Sequence, residues 1–302
     1  MRTRMTHTRP PRRDLVRYCE DEYTDHQVYQ KLADRETDFG RKEILEKLSR
    51  QEEEHFKFWE GQVDGYTPQP RRFLVNFVLL LRYFFGVTFA VKFLERHENQ
   101  VIEEYRRVRP LLDGEAAARL DQILRDEEQH EEFFISQINE GVVKYLGSIV
   151  LGLADAIIEI TGVHAGFLGV TSSTTMAGVA GLIVGFAAAI SMGTAAYLQA
   201  KQSTERNPTT SALITGISYI VAVVFLALPY FLTGNMLLAF VLSLSVAMLL
   251  TAYFTFYSAV LFERGFVKEF LQSASLTLGT AIATYLFGEF LGRVFGVQQY
   301  TS

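Results

Sequence analysis

The sequence predicts an all-α protein in which a cytoplasmic four-helix bundle is followed by a five-helix transmembrane domain. The first supporting observation is the distribution of charge. Residues 1–140 contain 23 Lys and Arg and 28 Asp and Glu, so the whole net charge of −5 lies there, whereas the remaining 162 residues contain only twelve charged residues. The second observation is that this second part is apolar over continuous stretches of about 20 residues, the length of a spanning helix, and lacks the alternation typical of a barrel strand.

The helices of the first part are delimited by charge, proline and glycine. Residues 1–13, with five arginines, are expected to form a disordered basic arm, and Asp14 is expected to cap the first helix of a domain over 14–140. The four helices are predicted at about 14–39, 41–63, 86–109 and 115–140, and the membrane domain at 141–302. Cys19 is the only cysteine, which excludes a disulfide framework and a cysteine-based metal site.

Residues 73–94 allow two interpretations, because they are apolar enough to be a sixth span. Arg82, Lys92 and Asn76 argue against a span, since a charge at the bilayer centre costs about 2.5–3.5 kcal/mol on insertion scales. The preferred prediction is an amphipathic stretch over 71–85 that lies on the cytoplasmic face of the membrane, with the third bundle helix beginning at Gly86.

Five membrane spans are predicted, at about 145–168, 177–199, 210–232, 235–260 and 270–295. Five of the six positive residues flanking them fall on one side, namely Lys144, Lys201, Arg206, Arg264 and Lys268. The exception is Arg293, near the end of the last span, which can snorkel to the far interface. By the positive-inside rule the N-terminal part is cytoplasmic. We therefore expect a multi-pass protein of the cytoplasmic membrane with its C-terminus outside the cell.

The predicted bundle helices carry carboxylate and histidine residues at metal-ligand spacing. Glu-x-x-His occurs at Glu52/His55 and Glu127/His130, and the related pair Glu95/Glu98 and the single Glu22 lie on the other two helices. At spacing i, i+3 the two side chains share one helix face. One such motif alone is more typical of a solvated acidic helix. Two copies plus carboxylates on the remaining helices indicate a di-iron or di-manganese site that binds Fe²⁺ or Mn²⁺.

These spacings, together with Tyr29 seven residues after Glu22, resemble the rubrerythrin-like branch of the ferritin-like superfamily over residues 14–140. The resemblance implies that the seven residues named above are the metal ligands of the bundle. The cysteine-rich module of full rubrerythrins has no counterpart here, so an NADH-linked peroxidase cycle is not expected.

The first span contains two acids, Asp155 and Glu159, one helical turn apart, with His164 beyond them. An ionisable residue inside a membrane is a candidate functional group by default. Met192 in the second span offers a thioether, although on its own it is more typical of core packing.

The strings around Asp155 and Met192 resemble the vacuolar iron transporter family, a dimeric five-helix fold that exchanges Fe²⁺ or Mn²⁺ for protons. That family's usual Gly-Glu-Tyr is here Ala195-Ala196-Tyr197, and Glu159 can substitute for the missing acid. Its long cytoplasmic insert is reduced to residues 201–209, with Glu205 as the remnant. The resemblance makes Asp155, Glu159, Met192, His164 and Glu205 the expected transport residues.

A ferritin-like domain followed by such a membrane domain resembles the membrane-bound ferritin family over nearly the whole chain. The resemblance implies a homodimer in lipid that exports Fe²⁺, with Mn²⁺ as the alternative ion and protons as counter-ion, and whose soluble domain collects or senses the metal. No nucleic-acid partner is expected. The competing function is a membrane-anchored di-iron ferroxidase or oxidase whose spans only hold it at the bilayer; the acids in the first span weigh against it.

Overall fold

A computed structural model describes residues 10–63, 65–96, 98–137, 145–202 and 206–296, and these residues form helices and no strands. The chain divides into two compact units, Met1–Glu140 and Gly141–Ser302. Five of the described helices, all in the second unit, are long and apolar enough to cross a membrane. The prediction of an all-helical, multi-pass membrane protein is therefore confirmed.

The first unit contains six α-helices and one 3₁₀ turn within its described residues. α1 packs along α2, α3 packs against α1 and α4, and α5 packs against α6. In chain order the elements are α1 (Arg12–Ala33), α2 (Phe39–Gln62), α3 (Arg72–Phe85), α4 (Val87–Glu95), α5 (Glu98–Val108), the 3₁₀ turn (Arg109–Leu111) and α6 (Gly114–Gln137).

Local chemistry accounts for several of these boundaries, and some differ from the sequence predictions. Asp38 caps α2, its carboxylate accepting a hydrogen bond from the backbone N–H of Arg41 at 2.9 Å. Asp14 was predicted as a cap but lies in the first turn of α1, which begins at Arg12. The rest of the predicted basic arm, residues 1–9, lies outside the described residues. The third predicted helix is not continuous, since α4 ends at Glu95 and α5 begins at Glu98.

α3 is apolar on two faces. Val75, Val78 and Leu81 are buried, and the two valines pack in a cluster with residues of α1 and α4. On the other face, Phe73 and Tyr83 are 83 % and 82 % exposed. Gly86, with φ of 89°, separates α3 from α4, so the chain turns after 14 residues, well short of the ~20 that a spanning helix needs. The alternative of a sixth span over 73–94 is therefore not supported.

The second unit contains the five long apolar helices, of which the third is completed by a short additional helix. Asn207 and Asn235 cap two of them, each side-chain oxygen accepting a hydrogen bond from the backbone N–H three residues on. The elements are α7 (Leu146–Val170), α8 (Thr174–Lys201), α9 (Pro208–Ala227), α10 (Pro229–Leu232), α11 (Met236–Leu261) and α12 (Phe266–Phe295).

α7 packs closely against α9 and α12, and glycines allow that approach. A Cβ at Gly152 would lie 2.5 Å from the carbonyl oxygen of Thr215 on α9, and a Cβ at Gly288 on α12 would lie 2.2 Å from the carbonyl oxygen of Gly166 on α7. Neither distance can be accommodated without moving backbone. Small residues at such crossings replace hydrophobic driving force with van der Waals contact, as expected between helices in lipid.

Candidate metal centre

Four side chains of the first unit converge in its interior. Glu22 of α1, Glu52 and His55 of α2 and Glu127 of α6 each offer a ligand atom, and these atoms all lie within 4.8 Å of one another. Each of the four residues is at most 4 % exposed. His55 Nδ1 lies 2.9 Å from Glu127 Oε1, 3.4 Å from Glu52 Oε2 and 3.7 Å from Glu22 Oε2. We call these four residues the acidic cluster.

The acidic cluster is positioned by helical register between two apolar clusters. On α1, Leu15, Tyr18 and Cys19 precede Glu22 and belong to one cluster, which also contains Trp59 of α2. The second apolar cluster contains buried residues that follow Glu22 on α1 and precede Glu52 on α2, including Val28, Tyr29, Leu32, Leu45 and Leu48. On both α1 and α2, the helical turn that carries the ligands is polar, and the turns before and after it are apolar.

Two further side chains contact the acidic cluster, and sequence reasoning missed both. The hydroxyl of Tyr105, buried on α5, donates a hydrogen bond to Glu22 Oε1. Asp126 Oδ2 lies 3.7 Å from His55 Nε2, and its other oxygen accepts a hydrogen bond from Gln122 at 2.8 Å. Both ring nitrogens of His55 therefore face carboxylates. The only signal for Asp126 was its position beside Glu127, and Tyr105 gave none.

Burial and like charge disturb the titration of this group. Burial, and then the proximity of Glu127, raise the pKa of Glu52 well above its ordinary value. Burial by itself would lower the pKa of His55, but hydrogen bonds to Asp126, Glu127, Glu22 and Glu52 outweigh it, so that pKa is also raised. Asp25, three residues after Glu22, has its pKa raised by burial and by Glu22. Glu52, His55 and Asp25 therefore hold their protons more tightly than the same groups do in water.

The donor set fits a divalent metal ion. Three carboxylates and one imidazole are oxygen-rich ligands with a single nitrogen, which suits ions such as Fe²⁺ and Mn²⁺ and offers no thiolate to softer ions. A cation would offset the charge of carboxylates that are otherwise close together in a region of low dielectric. The acidic cluster could therefore hold a metal ion, and its residues alone do not identify which.

The other predicted ligands have different outcomes. Glu95 of α4 is buried but is not one of the four residues whose ligand atoms converge. The side chains of Glu98 and His130 lie outside the described residues, as does His97. Glu53 and Glu54, which follow Glu52 on α2, have partly exposed side chains and form ion pairs with Lys57 and Arg119, respectively.

In the second unit the two acids of the first span lie one turn apart on α7, and both are half-buried. The hydroxyl of Tyr219, buried on α9, donates a 2.6 Å hydrogen bond to Glu159 Oε2. Met192 of α8 packs against the apolar cluster that contains Tyr219. Glu159 and Met192 thus border one cluster, formed by α7, α8, α9 and α11.

The remaining transport candidates are placed elsewhere or not described. His164 is completely buried, its ring 4.1 Å from that of Tyr230 and its Nδ1 3.5 Å from Ser243 Oγ. Its Nε2 faces Gly181, where a Cβ would approach to 2.3 Å. Nine residues separate His164 from Asp155, which puts them on opposite sides of α7, so the structure does not bring them together. Glu205 lies outside the described residues.

Comparison of the chain with protein-family models gives no match, and comparison with curated proteins gives none either.

The acidic cluster predicts a paired mutational effect at adjacent positions. Glu52→Gln removes a buried anionic ligand, so we expect the affinity for Fe²⁺ or Mn²⁺ to fall by at least about tenfold. Glu53→Gln is the matched control, because the side chain of Glu53 is 40 % exposed, forms an ion pair with Lys57 and is not one of the four converging residues; we expect it to leave the affinity unchanged. Metal bound per purified full-length chain, titrated at pH 7, is the measurement. Equal affinity in the two variants would make Glu52 a structural carboxylate.

The raised pKa values predict how stability depends on pH. Since the folded pKa values of Glu52 and His55 exceed their ordinary 4.5 and 6.5, the metal-free folded unit binds more protons than the unfolded chain. Its stability should therefore fall as pH rises from the range of free Glu through the neutral range. A bound metal reverses this trend, because its ligands must be deprotonated; at 100 times its Kd it adds about 2.7 kcal/mol.

Trp59 provides the measurement, since it is the only tryptophan and is completely buried beside Tyr18 and Tyr105. Its fluorescence during thermal unfolding of the detergent-solubilised chain reports on the first unit alone. We expect the unfolding temperature to decrease from pH 5 to pH 8 in a metal chelator and to increase over the same range with saturating Mn²⁺. An increase with pH in the chelator would contradict the assigned direction of the shifts.

Proposed function

We propose that this protein is a membrane transporter that exports Fe²⁺ from the cytosol in exchange for protons, and that its soluble unit collects or senses the ion. Mn²⁺ is the alternative substrate. The observation that carries the proposal is the pair of half-buried carboxylates, Asp155 and Glu159, on a helix that can span a membrane. A helix that serves only as an anchor has no use for them, because each acid makes insertion less favourable.

The two acids can exchange a proton for a metal ion. A carboxylate binds a cation only when deprotonated, so protons and metal compete for the same oxygens. Tyr219 donates a hydrogen bond to Glu159, which fixes the orientation of one carboxylate oxygen. Asp155, one turn earlier, is the residue we assign to the ion itself. The thioether of Met192 supplies a softer ligand at the same cluster.

The soluble unit supports the metal half of the proposal. Glu22, Glu52, His55 and Glu127 would hold one ion in the acidic cluster, and Glu95, Glu98 and His130 are the proposed further ligands of a di-metal site in a four-helix bundle. A ferritin-like bundle of this kind is what the sequence resembles. When bound, the metal would supply positive charge to a buried anionic site; the side chains supply its ligands, and Tyr105 orients Glu22.

Assembly and topology complete the proposal. The resemblance to vacuolar iron transporters favours a homodimer in which the first spans line the ion pathway. The positive residues at the ends of the spans favour a cytoplasmic N-terminus and an external C-terminus in the cytoplasmic membrane. Arg264 and Lys268, at the start of α12, lie on the cytoplasmic side in this arrangement.

The second candidate is a membrane-anchored ferroxidase, and the acidic cluster is the observation in its favour. A buried site of carboxylates and one imidazole also suits oxidation of bound iron. The two functions differ in a measurable product: a transporter moves Fe²⁺ across a sealed vesicle, whereas a ferroxidase consumes O₂ and leaves the vesicle interior unchanged.

Asp155→Asn should reduce Fe²⁺ flux in proteoliposomes to the level of protein-free vesicles, because the neutral amide can neither release a proton nor offset the charge of the ion. Metal binding by the acidic cluster should be unchanged in this variant. The control is Glu289→Gln, which removes a carboxylate that pairs with Arg293 in the last turns of α12. A pH-sensitive dye inside the vesicles should report proton movement opposite to metal. Wild-type flux in Asp155→Asn would exclude Asp155 from the pathway.

We also propose that α3 lies on the lipid surface, as the sequence suggested for residues 71–85. Its second apolar face contains Phe73, Leu80, Tyr83 and Phe84, all exposed, and Arg71 and Arg72 are exposed at its start. Aromatic and aliphatic side chains beside arginine are the composition of helices that bind the interface of anionic bilayers. The spans of the same chain hold the soluble unit at a bilayer, so no separate affinity has to recruit it.

A spin label at Tyr83→Cys, in the Cys19→Ala background, tests this contact in full-length protein in nanodiscs. We expect high accessibility to O₂ and low accessibility to a water-soluble nickel complex, since O₂ partitions into lipid. A label at Glu103→Cys, on an exposed position of α5, should show the reverse. Nickel accessibility at residue 83 equal to that at residue 103 would place α3 in water. If the label at residue 83 is protected from both probes and this protection is lost on dilution, the exposed apolar face of α3 contacts a second copy of the chain.

A further inference from the structure

The second unit encloses a crevice that the proposed pathway does not use. A cavity of about 200 Å³ lies between α7, α11 and α12. Its polar lining comes from two stripes, one on each of two neighbouring helices: Thr251, Thr255 and Ser258 on α11, and Glu269, Ser273 and Thr277 on α12. Spacings of three and four residues keep each stripe on one helix face. We call this cavity the hydroxyl crevice.

The hydroxyl crevice has one open and one closed end. α11 and α12 are joined by a short turn, so Ser258 and Glu269 lie near the turn and Thr251 and Thr277 lie deeper along the helices. Exposure follows the same order, from 37 % for the side chain of Glu269 to 1 % for Thr277. From Glu269 to Thr277 the distance along the helix is about 12 Å. The polar groups along the crevice therefore run from a partly exposed carboxylate at its mouth to buried hydroxyls.

The length of α12 and the charges at its start favour a position of the crevice mouth at the water side of the span. α12 has 30 residues, a length of about 45 Å, whereas the hydrocarbon core is about 30 Å thick. The helix is therefore longer than the hydrocarbon is thick, and the charges of Glu263, Arg264 and Lys268 beside the mouth favour its first turns as the part that lies at the interface. In that arrangement water can enter the crevice at Glu269.

The polar atoms that face the crevice are oxygens. Thr251 and Thr277 donate their hydroxyl hydrogens to backbone carbonyls of their own helices, at 2.8 and 3.1 Å, so their lone pairs remain available as acceptors. The α7 wall supplies only apolar side chains, including Leu153 and Ile157. A lining of acceptors with a carboxylate at the entrance favours water and hydrated cations. A cavity of this size has room for several waters, each of which occupies about 30 Å³ in the liquid.

The α7 wall of the crevice is formed by the same turns that carry Asp155, although Asp155 itself does not line the cavity. Ala154 and Ile158 of α7 line the cavity. Ala154 directly precedes Asp155 in the sequence, and Ile158 follows it by three positions, on the adjoining helix face. Intramembrane polar residues generally face a protein interior or a water-filled cavity. Asp155, the acid that the transport proposal assigns to the ion, therefore lies at the edge of the α7 wall, on the helix face next to the one that lines the crevice.

We propose that the hydroxyl crevice is a water-filled, cation-attracting entry that carries protons from the Glu269 end of α12 to Asp155, separately from the metal pathway. Its role in proton delivery rests on the proposed exchange, whereas its existence as an aqueous entry does not. No covalent step is involved: a proton moves through hydrogen-bonded water to a carboxylate oxygen.

Thiol accessibility tests the aqueous entry in full-length protein reconstituted in vesicles, in the Cys19→Ala background. Ser273→Cys lines the crevice, whereas Ser275→Cys is the same chemical change two residues later on the exposed outer face of α12. We expect a membrane-impermeant cationic thiol reagent to react with residue 273 more than about tenfold faster, since a charged reagent is strongly excluded from hydrocarbon. Glu269→Gln should reduce the preference of that site for the cationic over an anionic reagent. Equal reaction rates at residues 273 and 275 would overturn the proposal that the hydroxyl crevice is filled with water.

The proton role has its own readout. Thr255→Val preserves shape but replaces a hydroxyl with a methyl group, so we expect it to slow metal-driven proton movement while the affinity for metal stays unchanged. Unchanged proton movement in Thr255→Val, with normal exchange in the unsubstituted protein, would overturn the role in delivery. Absence of exchange even in the unsubstituted protein, combined with selective labelling at residue 273, would instead reject the transport proposal and retain the aqueous entry.

Discussion

The first unit depends on one electrostatic constraint, which is that three carboxylates and an imidazole are buried between two apolar clusters. Charged groups in such a region lose their hydration, and like charges repel more strongly than in water. Two arrangements resolve the conflict: the group retains protons, or it binds a cation. The raised pKa values of Glu52 and His55 describe the first arrangement. The convergence of four ligand atoms within 4.8 Å makes the second possible.

The surrounding side chains make sense in terms of this constraint. Tyr105 donates to Glu22 and so satisfies one acceptor without adding positive charge. Asp126, half-exposed, approaches the outer nitrogen of His55 and favours a proton there, which leaves Nδ1 directed at the carboxylates. Such a partner orients an imidazole that binds metal through its other nitrogen. The apolar clusters on either side restrict the entry of water. Water would otherwise solvate the carboxylates and reduce the stabilisation that a bound cation provides.

Much of the fold could be predicted from the sequence, because its signals are local. Runs of apolar residues depend only on composition, so the five spans were found with boundaries within a few residues. Glu-x-x-His spacing fixes which side chains share a helix face, and it identified Glu52, His55 and Glu127. The sequence does not fix which helices face each other. For that reason it missed Tyr105 and Asp126, and it grouped His164 with Asp155 although they point to opposite sides of α7.

The hydroxyl crevice shows the same limit within the membrane unit. Thr and Ser are ordinary in spanning helices, where they can hydrogen-bond to their own backbone, so neither stripe is distinctive in the sequence. Their significance comes from the packing of α11 beside α12, which places two stripes on one cavity, and from α7, which closes it with apolar side chains. An apolar third wall leaves the hydroxyl oxygens without side-chain donors from α7. Water that enters past Glu269 can satisfy them, and hydrogen-bonded water is also the medium through which a proton moves.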